Sequence, residues 1–311
     1  MNLLTIFTPT YNRASLINRL YESLNKQTMY KFEWIIVDDE SVDNTDIVVE
    51  NIMNSNNKFP ITYLKQKHGG KHRAINLAVK QAKGDFFFIE DSDDELTIDA
   101  VEKIDSWTET IREIQGFCGV AGVKISRSGT VWGETYSNIN EFEYVDATAL
   151  ERKKYHLTGD KSEVFRTDVL KKYPFPEFDG EFFVTESVCW NSIAADGLKM
   201  RWFMWPIYVC DYLEDGLTKN GANERTGHIN NFKGYSFYVM QVLKLFNSID
   251  SITEFREYNN TCRDKNMSMV ERAEAINYNV FKYLIDLIIK MPFLYGIRYI
   301  KKIRMKLTRN S

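Results

Sequence analysis

FFFIEDSDD, residues 86–94, sets an apolar run from Phe86 to Ile89 against the carboxylate tetrad Asp91-Ser92-Asp93-Asp94. Such a run reads as a buried strand, and an α/β sheet opens its ligand crevice beyond the carboxyl ends of its strands. Carboxylates this close repel one another unless a cation sits between them, and hard oxygen ligands beside a diphosphate suit Mg²⁺ or Mn²⁺. The plainer reading is a solvated acidic turn capping the next helix, since Asp and Ser are ordinary turn and N-cap residues. A second stretch with the same grammar favours the ligand: Trp34-Ile35-Ile36-Val37 ends in Asp38-Asp39-Glu40-Ser41, with Asp43-Asn44-Thr45 at a helix start. A third strand, Leu3 to Phe7, runs into Thr8-Pro9-Thr10-Tyr11-Asn12-Arg13. Helical patterns over 15–26, 44–53 and 72–82 alternate with these strands and predict βαβ units in a mainly parallel sheet.

The order and spacing of TPTYNR (8–13), VDDESVDNT (37–45), GGKHRAINLAVKQAKGD (69–85) and FIEDSDD (88–94) resemble a family 2 glycosyltransferase with a GT-A fold. The likeness continues less sharply through GDKSEVFR (159–166), FPEFDGEFFVTESVCWN (175–191) and YLEDGLT (212–218), and fades beyond about residue 225. The resemblance implies an inverting, metal-dependent enzyme that moves a hexosyl or N-acetylhexosaminyl group. Its donor is a nucleotide-sugar, most often a uridine one, and its acceptor a saccharide or lipid-linked glycan in surface polysaccharide biosynthesis. By the same resemblance Asp39 hydrogen-bonds the nucleotide base, while Pro9, Tyr11 and Arg13 line the first-strand exit that embraces it. Asp91, Ser92 and Asp93 match the DxD segment, with Asp91 and Asp93 holding the ribose and a Mn²⁺ or Mg²⁺ bound to the diphosphate. Lys71, Arg73 and Asn76 fall on the helix beside the nucleotide, although the family often shows Ala-Arg-Asn where this chain has Ala74-Ile75-Asn76. Glu186 matches the general base, usually the Asp of a Glu-Asp pair; here it is a Glu preceded by Thr185.

Elementary chemistry asks for the same groups. A departing diphosphate is stabilised by cations and by the carboxylates that hold them, and an acceptor hydroxyl needs a positioned carboxylate to take its proton. The structural alternative for Glu186 is a carboxylate at the start of a helix over Ser187-Val188-Cys189-Trp190, interacting with its dipole. Asp179, Glu181 and Asp160 are the next candidates for a base on the same acceptor-side stretch.

Rival chemistries find less support. Gly69-Gly70-Lys71 lacks P-loop spacing, and no GxGxxG follows a strand. His68 and His72, four apart, make a metal pair only with a third ligand. Cys118, Cys189, Cys210 and Cys262 show no CxxC and read as buried thiols in a reducing compartment. A nucleotidyltransferase needs a Gly-rich basic loop where Thr8 to Asn12 stands, and an inactive nucleotide-sugar-binding scaffold remains the alternative outside enzymes. A net charge of −3 argues against nucleic acid as a partner.

The predicted organisation is a GT-A domain over 1–225 and a helical C-terminal region over 226–311. Within the domain, 1–125 forms the nucleotide-sugar-binding half and 126–225 the acceptor half, where Trp132, Trp190, Trp202 and Trp205 supply either sugar platforms or core. The polar stretch Asn220 to Gly227 reads as a loop able to close over a donor. Residues 280–311 hold eight basic residues against the single acid Asp286, interleaved with apolar side chains. That mixture suits a helix lying on an anionic membrane surface, or else a packed helix pair with a solvated basic end, broken at Pro292. Without an N-terminal leader pattern or an apolar run of about 18 residues, the expectation is a cytoplasmic chain, peripheral on the inner face of the membrane if the tail binds it.

Overall fold

The structure is a computed structural model describing residues 4–138, 140–211, 224–246 and 249–288. The chain divides into two compact units, one of residues 1–177 and 182–219, the other of 178–181 and 220–311.

The first unit opens with β1 (Leu4–Thr10), α1 (Ile17–Asn25), β2 (Phe32–Asp38), α2 (Thr45–Met53), β3 (Ile61–Lys65), α3 (Lys71–Gln81) and β4 (Phe86–Ile89). Four parallel strands result, in the order β3-β2-β1-β4. Every residue of β2 is buried, and β1 is buried at all but one position, as expected of a parallel sheet covered on both faces. Helix α3 buries Ala74, Ile75, Ala78 and Val79, a helical stripe that packs small residues against the sheet.

The rest of the unit comprises β5 (Glu95–Leu96), α4 (Ala100–Glu109), β6 (Phe117–Ile125), β7 (Asn140–Ala147), β8 (Lys161–Arg166), α5 (Thr167–Leu170), α6 (Ser187–Ala195) and β9 (Lys199–Val209). Strand β8 runs antiparallel to both β4 and β6, β6 is parallel to β9, and β5 and β7 each pair antiparallel with β9. The nine described strands thus form one mixed sheet flanked by helices, the expected α/β architecture, with four successive parallel strands at one side and a further parallel pair, β6 and β9, among antiparallel neighbours. All four cysteines are free and buried.

The second unit carries α7 (Glu224–Asn230), α8 (Phe232–Leu245), α9 (Ile249–Asp264) and α10 (Met269–Ala275), and the chain is helical again over 280–288. Tyr235, Val239, Phe255, Tyr258, Cys262 and Tyr283 form its core. Buried Glu181 accepts from the backbone N–H groups of Lys233 (2.7 Å) and Gly234 (2.9 Å), closing the first turn of α8.

Phe182-Phe183-Val184 is irregular chain, with both phenylalanines about half exposed. Glu224 to Gly227 lie in the first turns of α7 rather than in a loop, because the polar run supplies a helix start instead of a lid. The remainder of that stretch, YLEDGLT, and tail residues 289–311 lie outside the described residues. Among the described residues no helix is long and apolar enough to cross a membrane.

Candidate active site

The exits of β1 and β2 are laced together before any ligand enters. Asn12 adopts φ +53° and donates its N–H to Ser41 Oγ (2.9 Å), while its Oδ1 accepts from Val42 N (2.8 Å). Arg13 N–H reaches Thr45 Oγ1 (3.2 Å), and Asp39 N–H reaches Thr10 O (2.9 Å). Pro9 pairs in register with Val37. Tyr11 emerges from this exit 44% exposed.

Asp39, by contrast, is buried and its carboxylate is largely filled. Oδ1 accepts from Gly69 N–H (2.8 Å) and Gln66 Nε2 (2.7 Å), and Oδ2 from Gly70 N–H (2.9 Å), while His68 Nδ1 lies 3.0 Å from Oδ2 and hydrogen-bonds the Asp39 carbonyl oxygen (3.2 Å). Three donors, two of them backbone N–H groups, take most of the four lone-pair positions of the carboxylate. Asp39 therefore organises the Gly69-Gly70 turn that starts α3. The turn requires glycine: Gly70 has φ +90°, and a Cβ there would meet the Phe182 carbonyl oxygen at 1.8 Å. This close approach brings the segment carrying Glu186 against the start of α3.

The next residue on α3 joins the two candidate reacting ends. Lys71 Nζ lies 2.6 Å from Asp91 Oδ1 and 2.8 Å from Glu186 Oε1. Burial alone lowers the lysine's proton affinity, but the two carboxylates outweigh it and push its pKa well up. Asp91 shows the converse: burial raises it, and Lys71 and Lys124 hold it below the ordinary carboxylate value. Glu186 occupies the N-cap position of α6 without capping it, so its side chain serves Lys71 rather than the helix.

Arg73 and Asn76 face the chain. Arg73 Nη1 donates to Gly69 O (2.8 Å), and its Nε lies 3.4 Å from Glu177 Oε2. Asn76 donates to Phe175 O (2.9 Å) and Glu177 Oε1 (2.8 Å) while its Oδ1 accepts from Phe175 N–H (2.9 Å). Both fix the chain that leads towards Glu186. Asp93 accepts from the Arg19 guanidinium through its backbone oxygen, and Ser92 is buried. Of the reserve bases, Glu181 is spent on α8 in the second unit and Asp179 is exposed there. Trp202 is core, with Nε1 donating to Ala147 O (3.0 Å), whereas Trp190 is half-buried and stacks on Phe165 at 4.1 Å.

Several groups carry no recognisable motif. Lys124 ends an apolar strand as a lone lysine; its Nζ lies 4.0 Å over the Tyr208 ring, and although burial lowers its proton affinity, Asp91 and Glu163 raise it more. Tyr208 donates to Asp94 (2.8 Å) and accepts from Asp91 N–H (3.1 Å). Burial first, then Asp91, lift Asp94 to about 7. Glu90 is fully buried with both oxygens unpartnered, and burial raises its pKa well above the ordinary value. His68 stacks between Tyr11 and Phe182. His72 is buried with neither ring nitrogen bonded, so the two histidines do not act as a pair.

Among the described residues no three imidazole, thiol or carboxylate groups converge as a metal cage. Asp91 and Asp93 fit a smaller role, because Mg²⁺ or Mn²⁺ held beside a diphosphate takes one or two carboxylates and completes its shell with phosphate oxygens and water. The position of the Lys71 ammonium on Asp91 shows that this carboxylate already serves a cation.

The chain matches the Glycosyl transferase family 2 domain over residues 5–173. It is 32% identical over 181 residues to TarS of Staphylococcus aureus, a poly(ribitol-phosphate) beta-N-acetylglucosaminyltransferase, covering 56% of this chain but only 29% of TarS. To the GalNAc(5)-diNAcBac-PP-undecaprenol beta-1,3-glucosyltransferase of Campylobacter jejuni it is 22% identical over 271 residues, covering 84% of this chain and 80% of that one. The fold is shared with TarS 1–349 in complex with UDP-GlcNAc (TM-score 0.59, 17% identity, 95% of this chain and 92% of that one). It is shared also with the mannosyltransferase PcManGT of Pyrobaculum calidifontis in complex with GDP-Man and Mn²⁺ (TM-score 0.52, 16% identity, 96% and 79%). A match over more than half its length, on a sheet of the same fold, makes this chain a member of glycosyl transferase family 2.

Proposed function

We propose that the chain is an inverting, metal-dependent glycosyltransferase that takes a UDP-sugar and glycosylates a saccharide or lipid-linked glycan in surface polysaccharide biosynthesis. One observation carries this reading: a single ammonium, Lys71, reaches both Asp91 at the donor end and Glu186 on the acceptor side. The anomeric carbon then sits between a diphosphate held at Asp91 and Asp93 and a hydroxyl facing Glu186. As the acceptor oxygen bonds to that carbon, its proton passes to Glu186, the bond to the phosphate oxygen breaks, and the electron pair leaves with the diphosphate. A single displacement from the opposite face inverts the configuration. A divalent cation bound by Asp91 and Asp93 would offset the charge that develops on the diphosphate. Lys71 and Lys124 contribute fixed positive charge on the same side. Tyr11 and Asp39 frame the slot for the base.

The relatives support the substrate class. TarS transfers N-acetylglucosamine, and the Campylobacter jejuni enzyme acts on an undecaprenol-linked glycan. The experiment is to measure nucleoside diphosphate released from UDP-, GDP- and CDP-sugars with Mn²⁺ and a panel of glycan acceptors. Release from a UDP-sugar, lost in Glu186→Gln, is the expected result; a folded chain that binds UDP but turns over no donor would be the inactive scaffold.

A peripheral membrane location belongs to the same reading. Over 280–288, Phe281, Ile285 and Ile288 are 80%, 55% and 70% exposed at one-turn spacing, ahead of the basic stretch that follows. Binding to vesicles containing anionic lipid, weakened by salt and by serine at those three positions, is expected; indifference to such vesicles at low salt would rule it out.

A further inference from the structure

The ring of His68 has the company a nucleobase needs. It lies between Tyr11 (centroids 4.6 Å apart, planes 27° apart) and Phe182 (5.0 Å, 20°). Its Nδ1 is 3.0 Å from Asp39 Oδ2 and 3.2 Å from the Asp39 carbonyl oxygen. Both are acceptors, so Nδ1 carries the proton. A flat aromatic ring resting on Tyr11 and donating an N–H to Asp39 is also the arrangement expected of a uracil, whose imide N–H is its ring donor.

Two rings cannot share this place. The carboxylate of Asp39 accepts three hydrogen bonds, all from groups held by the backbone turn or packed within it: Gly69, Gly70 and Gln66. The imidazole is the one that can leave. Its side chain is 39% exposed, against 8% for Asp39, and only its own χ angles need change for it to swing outward. The backbone need not follow, because His68 N–H is separately anchored to Glu40 Oε2 (3.0 Å).

We infer that His68 sets the donor affinity of the base slot by occupying it: the imidazole is displaced when a nucleobase binds, and the base takes over its place on Tyr11 and its hydrogen bond to Asp39. This rests on the assignment of Tyr11 and Asp39 to the base. The exchange conserves hydrogen bonds, one ring N–H to Asp39 before and one after, and its cost is that of freeing the imidazole. That cost falls equally on every nucleotide entering the slot, because the plugged state is common to all of them. His68 therefore lowers affinity without choosing between bases, and choice rests on which base offers Asp39 a donor.

The test is calorimetric titration of UDP, in Mn²⁺, into the full chain and into His68→Ala and His68→Phe. Loss of one aromatic stack and one hydrogen bond from the free state predicts UDP binding roughly tenfold tighter in His68→Ala. His68→Phe keeps the stack but offers Asp39 no donor, and its affinity should fall between the two. Inorganic pyrophosphate with Mn²⁺, which has no base, should bind all three alike. Weaker or unchanged UDP binding in His68→Ala, with wild type binding normally, would make His68 a wall of the slot or a bystander and overturn the inference alone. A folded wild-type chain that binds no nucleoside diphosphate would overturn the base-slot assignment and this inference with it.

Discussion

Two acidic strand exits that look alike in sequence are put to opposite uses. After β2, Asp38 accepts from Tyr63 Oη (2.7 Å) and Ser41 N–H (2.9 Å), and Asp39 from Gly69 N–H, Gly70 N–H and Gln66 Nε2, so both hold the local backbone in place. After β4, the Asp91 carboxylate pairs with the ammonium of Lys71, and Asp93 gives its backbone oxygen to Arg19. The difference lies in what each exit faces. The first turns into the backbone of the Gly69-Gly70 loop, which supplies N–H groups at short range. The second opens towards Lys71, Lys124 and Glu186, where charge is balanced by other side chains that ligands can displace. Lone pairs that the fold leaves unfilled by backbone are the ones an acidic cluster can offer to a cation.

The largest effect expected from breaking this division is on rate. Glu186→Gln should lower turnover by about 10² to 10⁴ while leaving UDP affinity nearly unchanged, since a general base acts in the transition state and not in donor binding. Steady-state rates with UDP calorimetry check it; turnover within a few-fold of wild type would transfer the base elsewhere. The next effect is on stability. Asp39→Ala should cost about 2–4 kcal/mol, because it leaves the Gly69 and Gly70 N–H groups buried without acceptors. Asp93→Ala should change stability by less than about 0.5 kcal/mol. Denaturation of the two variants side by side reads the contrast, and equal losses would erase it.

The smallest effect concerns α3 itself. Burial, with Arg73 adding to it, depresses His72 to about 4, from an unfolded value near 6.5. Between these values the unfolded chain binds more protons than the folded one, so stability rises with pH across that window and falls as acid is added. Replacing His72 by Leu should flatten the acid limb of stability between about pH 6.5 and 4, read as melting temperature against pH; an unaltered limb would place the acid sensitivity in other groups.

The fold was legible where strands are buried on both faces and helices alternate with them. Apolar runs such as Trp34 to Val37 and Phe86 to Ile89 locate β2 and β4 because parallel strands need continuous apolarity. The antiparallel partners were not, since β8 pairs with β4 across about eighty residues and with β6 across about forty, contacts that leave no local pattern. At the site, the motifs point to Asp39, Asp91 and Glu186 but say nothing of hydrogen-bond occupancy, which separates the largely filled Asp39 from the open Asp91. Lys124 and Tyr208 are register partners on β6 and β9, far apart in sequence, and reach the acidic cluster only through the sheet. Glu181 reads as a spare base until the fold hands its carboxylate to the N–H groups of Lys233 and Gly234.

The central claim is that the open exit after β4 receives the metal and diphosphate. It is tested most directly by titrating UDP into wild type and Asp93→Ala, each in Mn²⁺ and in chelator. The account predicts strong, Mn²⁺-dependent binding by wild type and weak binding by the variant that Mn²⁺ does not improve. Equal wild-type affinity with Mn²⁺ and with chelator would contradict it.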